Sequence, residues 1–162
     1  MNPVIGINVD SVRTSAEGPE FALGTIGAVD GSGALYKYVK YNAGVGSVAA
    51  AAGNFVYNYA PSGVSAGAYT EVTSDFTDSG GIGMGVLQAV IANGGYGWVQ
   101  ITGYAVLAQT IEDTPVDGGP LTAIGVATDG AISTVAAGAA GSWCCGVTID
   151  ASAKKVFLQC PF

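Results

Sequence analysis

The stretch SGGIGMGVLQAVIANGGYGWVQITGYAVLAQTI, residues 79–111, runs 33 residues without a charged side chain. Eight glycines interrupt it, at Gly80, Gly81, Gly83, Gly85, Gly94, Gly95, Gly97 and Gly103. A glycine inside a helix costs about 0.5–1 kcal/mol relative to alanine, so eight of them disfavour a bilayer-spanning helix here. Two apolar runs around a glycine turn remain, which is the pattern of a β-hairpin. Residues 84–91 and 97–102 are the expected strands, joined across Ala92-Asn93-Gly94-Gly95. Asn-Gly favours such a turn because both residues tolerate positive φ. Trp98, Gln100 and Thr102 would face one side, Val99 and Ile101 the other. A hairpin at the surface normally carries charge on its wet face. This one must have both faces buried within its own fold, or one covered by another chain.

Working outward, the flanking sequence repeats the strand–turn–strand rhythm. Residues 21–26 are a first strand candidate, and Asp30-Gly31-Ser32-Gly33 is a turn. In LYKYVKY, residues 35–41, Tyr36, Tyr38 and Lys40 alternate with Leu35, Lys37, Val39 and Tyr41. Residues 45–52 suit a strand or one helical turn, and NFVYNY at 54–59 is a strand. A loop at 61–67 and a short strand at 69–73 precede the hairpin. After it come strands at 104–109, 121–127, 131–135, 144–149 and 156–158, with a small-residue loop at 136–142 and an aromatic terminus, Pro161-Phe162. Short strands at this spacing predict an all-β fold, a small antiparallel β-barrel or sandwich. Residues 1–20 read as an extended N-terminal arm and residues 21–162 as a single β domain. The apolar part of the arm, with Val4, Ile5, Ile7 and Val9, suits strand addition to a neighbour's sheet, or equally an edge strand of its own fold.

Composition bounds the function. Charged residues are 10% of the 162 residues, against about 25% in ordinary globular domains. So few charges suit a chain that hides surface in an assembly. Net charge is −7, and the five cations form no basic patch, so nucleic-acid binding is not expected. No continuous run of about 18 strongly apolar residues is present, so no membrane span is expected. The first ten residues lack the charged and apolar regions of a secretory leader.

The absence of histidine removes Ser–His–Asp and Cys–His catalysis and the common metal sites. Ser–Lys chemistry would need Lys37, Lys40, Lys154 or Lys155, and no spacing selects a serine partner. Glu112 with Asp113, or Asp75 with Asp78, sit in polar turns where solvated charge is the ordinary reading, against paired-carboxylate chemistry. The glycine run 81–85 lacks the Lys-Ser/Thr of a phosphate loop, and Asp30-Gly31-Ser32-Gly33 lacks the later Glu of a calcium loop. Cys144, Cys145 and Cys160 are an odd set, expected as reduced apolar residues, although a Cys145–Cys160 bridge fits if the last two strands pair. Three cysteines without histidine make a poor zinc site. Neither an enzyme nor a cofactor is expected.

The order of segments resembles the head decoration, or cement, proteins of tailed bacteriophages. The matching features are Leu23-Gly24-Thr25, Asp30-Gly31-Ser32, the aromatic strands at 36–41 and 55–59, and Gly85-Val86-Leu87-Gln88 leading to GYGWVQITG at 95–103. Leu121-Thr122-Ala123, Asp129-Gly130 and Gly146-Val147 complete it, so the resemblance covers residues 21–162. It implies a β-barrel or β-tulip-like module that binds the major capsid protein on the outer surface of the virion. Such modules assemble as homotrimers or dimers, are made in the host cytoplasm and stiffen the shell. The family has no active-site motif to carry over. Expected partner contacts are Val4, Ile5, Ile7, Val9, Trp98 and Trp143. The competing reading is a tail or fibre module that binds host glycans through exposed Tyr and Trp.

Overall fold

In a computed structural model, residues 3–62, 69–135 and 143–160 are described. Twelve strands follow one another: Val4–Ile5 (β1), Ile26–Ala28 (β2), Leu35–Tyr41 (β3), Phe55–Tyr59 (β4), Glu71–Thr73 (β5), Ser79–Leu87 (β6), Tyr96–Val106 (β7), Ile111–Glu112 (β8), Pro120–Thr122 (β9), Ile132–Thr134 (β10), Cys144–Asp150 (β11) and Lys155–Gln159 (β12). The described residues contain no helix, so the chain is all-β, and no helix is long and apolar enough to cross a membrane. Residues 63–67 of the loop expected at 61–67, the loop at 136–142 and the terminus 161–162 lie outside the described residues.

All twelve strands join one sheet in the order β1-β2-β3-β5-β4-β6-β7-β12-β11-β9-β10-β8, with β3 also paired to β7. The antiparallel expectation is corrected at three pairings, because β1–β2, β3–β5 and β8–β10 run parallel. Parallel neighbours are joined by long crossovers, so no local turn announces them. The ladder β3–β5–β4–β6–β7 returns to β3, while β12, β11, β9, β10 and β8 continue away from β7. The whole is a mixed sheet rather than a clean barrel.

The hairpin is present, with Val86 opposite Gln100 and Leu87 opposite Val99. Its first strand ends at Leu87, earlier than the apolar pattern suggested. Its second strand runs on to Val106 and takes in the start of the separate strand expected at 104–109. Gly103, at φ +92°, turns the strand there, and the buried Gln100 amide donates to the carbonyls of Thr102 (3.0 Å) and Tyr104 (2.7 Å) across the bend. Residues 45–52 are turn and coil, held where the Tyr41 hydroxyl donates to the Val48 carbonyl at 2.9 Å.

Alternation along β3 and β7 sorts their side chains between two cores. Val39, Tyr41, Val99 and Ile101 enter the large one, with Phe55, Tyr57, Met84 and Leu87. Tyr36, Tyr38 and Trp98 enter a smaller one on the opposite face. Phe21, Tyr38 and Trp98 meet there at ring-centroid distances of 5.0–5.4 Å. Both faces of the uncharged segment 97–101 are therefore covered by this chain itself.

The cover on the second face is the N-terminal segment. β1 pairs with β2 as an edge strand of its own sheet. Ile7 packs over Gly27 beside Trp98, leaving no room there for a Cβ. Arg13 exchanges both backbone hydrogen bonds with Tyr96, at 2.9 and 2.8 Å. Of the two readings open for the arm over 1–20, the described residues take the edge strand of their own fold, and they dock because Trp98 and Tyr38 offer apolar surface that Ile7, Val9 and Phe21 remove from water.

Candidate interaction surface

Strand β12 alternates cleanly. Val156 and Leu158 are fully buried, while Lys155, Phe157 and Gln159 face outward. Its neighbour β7 presents Tyr104 and Val106 on the same outer face, since Phe157 lies opposite Tyr104 and Lys155 opposite Val106. On the other side, Val147 of β11 lies opposite Phe157. The rings of Phe157 and Tyr104 stack edge to face at 5.2 Å and 86°. Tyr104 is 72% exposed and Val106 60%. A groove of about 340 Å³ runs along this face between Gln100, Tyr104, Val106 and Lys155. An apolar strip spanning three strands, carrying the single cation Lys155, has the chemistry of a contact surface.

The expected contact residues divide. Ile5 is 73% and Trp143 66% exposed, and Val4 is also exposed. Trp98, at 1%, is corrected to a core residue, because β7 points it under the N-terminal segment. Ile7 is likewise buried against it, and Val9 packs beside it half-buried. Sequence reasoning missed Tyr104, Val106 and Phe157. The signal available was the outward parity of Lys155-Val156-Phe157-Leu158.

The candidate carboxylates hold turns. Glu112 accepts the amides of Ala127 at 2.6 Å and Thr128 at 2.7 Å. Burial raises its pKa, and hydrogen bonds from Thr128 and Ala127 outweigh this and leave it lowered. Asp75 accepts Gly46 and Thr77, and Asp78 accepts Val45, pinning the 44–48 loop. Asp75 is shifted the same way: burial works upward and its hydrogen bonds, led by Thr77, win. Asp113 takes the hydroxyl of buried Ser133 beside a cavity of about 670 Å³ lined by Thr114, Val116, Pro120 and Thr134. Among the lysines, Lys40 pairs with Glu71 at 3.0 Å and Lys154 donates to the Ala108 carbonyl at 2.7 Å. Lys37 is 3% exposed, and burial lowers its pKa. No cluster of three or more Cys, Asp or Glu able to hold a metal occurs among the described residues.

The chain matches no family model, no curated protein and no solved structure.

Proposed function

We propose that this chain is a non-enzymatic structural protein of a phage head. It assembles as a symmetric oligomer, a homotrimer or a dimer, on the outside of the capsid and binds the major capsid protein. The observation that carries the reading is the outward strip of Tyr104, Val106 and Phe157 on a chain with 10% charged residues. The uncharged hairpin no longer carries it, since this chain covers both its faces. The strip is the contact between sister copies, and the exposed β1 edge with Val4 and Ile5 is left for the shell. Hundreds of copies on one lattice act multivalently, so each contact needs only modest affinity. The circuit of β3, β5, β4, β6 and β7 supports reading the centre as a small barrel with flanking strands, a β-tulip-like module.

Purified protein mixed with undecorated capsids should bind saturably, at a fixed ratio to capsid subunits. A chain that stays monomeric and does not bind would refute the reading. The glycan-binding alternative keeps one specific support, the exposed ring of Trp143. A hit on a carbohydrate array that is lost in Trp143→Ala would favour it.

A further inference from the structure

We propose that Cys145 and Cys160 are a paired dithiol that an oxidant of the disulfide class, represented by glutathione disulfide, converts to a cross-link between β11 and the end of β12. Cys145 lies in β11, and Cys160 directly follows β12, which pairs antiparallel with β11. Gly146 lies opposite Leu158, so Cys145, one residue before that pair, and Cys160, two residues after it, fall near each other across adjacent strands. Both point into the large core, at 1% and 4% exposure. Cys160 Sγ is 3.7 Å from the Cys145 carbonyl oxygen, and its backbone amide is fixed to the Ile101 carbonyl at 2.9 Å. Each thiol donates to a backbone carbonyl, Cys145 to that of Trp143 at 3.7 Å and Cys160 to that of Cys145, and their mutual interaction lowers the pKa of Cys145 and raises that of Cys160.

The thiol uncovered first attacks as its thiolate and the other closes the bridge, and the exchange is the same with Cys145 first. The Cys145 thiolate attacks one sulfur of glutathione disulfide, forming a mixed disulfide and releasing one glutathione, which takes up a proton. Cys160 then loses its proton and attacks the Cys145 sulfur, expelling the second glutathione. Two protein thiols are oxidised and one glutathione disulfide is reduced to two thiols. Burial makes opening of the β12 end the gate to the first step, so the reaction follows local unfolding rather than surface collision. Cys144 is exposed, with its Sγ 3.1 Å from the Gly146 carbonyl oxygen, and competes only as a site of adduct formation.

The test uses Cys144→Ser, which removes the exposed thiol and leaves the pair. Folded protein is incubated with excess glutathione disulfide, denatured, alkylated with iodoacetamide and weighed intact. The expected product has lost two hydrogens, takes up no alkylating agent and melts about 5–10 °C higher, reversibly on reduction. Two alkylated cysteines, or a glutathione adduct that persists in place of the bridge, would overturn the proposal. Adding Cys160→Ala should turn the product into a stable adduct at Cys145. If that variant fails to fold, the mass of the Cys144→Ser protein alone decides. The result does not depend on the capsid reading.

Discussion

At Gly85 an added methyl group would collide with the Gln100 carbonyl oxygen, and the backbone is held at φ +129°. Neither clash nor dihedral can relax without parting β6 from β7. Gly85→Ala should therefore cost about 3 kcal/mol, read from the urea midpoint. Tyr57 presents the opposite case, a polar group satisfied deep in the core, with its hydroxyl donating to the Ala131 carbonyl. Its pKa is raised, first by burial and then by the charges of Glu112 and Asp129. The folded state thus holds this proton more tightly than the unfolded chain. The stabilisation is complete below the ordinary tyrosine value of 10.0 and is lost as pH rises above it. Tyr57→Phe should lose about 1 kcal/mol at neutral pH and show a shallower fall in stability above pH 10, measured by denaturant melts across pH. Neither position announced itself in the sequence. Gly85 looked like one glycine among eight, and its constraint exists only once Gln100 lies across from it.

At the scale of elements, the docked N-terminal segment has the most to lose. Removing residues 1–13 takes Ile7 off Trp98 and breaks both backbone bonds to Tyr96. The truncated protein should lose about 3 kcal/mol or more and bind a hydrophobic dye, as the Tyr36–Tyr38–Trp98 face is wetted. A truncation with an unchanged melting temperature would contradict this packing. Much at this scale was legible. Period-two alternation placed Tyr36 and Tyr38 opposite Val39 and Tyr41, and separated Trp98 from Val99, because a pleat fixes those faces whatever the partner. The parallel pairings of β1, β5 and β8 were not legible, since their partners are chosen by crossovers rather than by neighbouring turns. The bend at Gly103 was read as a gap between strands, because a glycine in an apolar run looks the same whether it ends a strand or turns it.

For the whole molecule, the outer strip is the place where packing and association separate. Tyr104→Ser with Phe157→Ser replaces exposed rings and should change the stability of the isolated fold by about 1 kcal/mol or less. The same pair should shift the oligomer toward monomer in sedimentation and lower occupancy on capsids at least tenfold. Retained assembly would move the sister contact elsewhere on the surface. The strip was invisible beforehand for a physical reason. An apolar residue facing out and one facing in obey the same alternation, and only the finished sheet says which side has a cover. The sheet also places its longest strand in an exacting position. β7 lies between β3, from residues 35–41, and β12, from residues 155–159. During translation its second half therefore leaves the ribosome long before its partner, residues 155–159, is made. Until then that half of the ribbon stays bare, and premature stops before residue 155 should yield aggregates that holding chaperones bind.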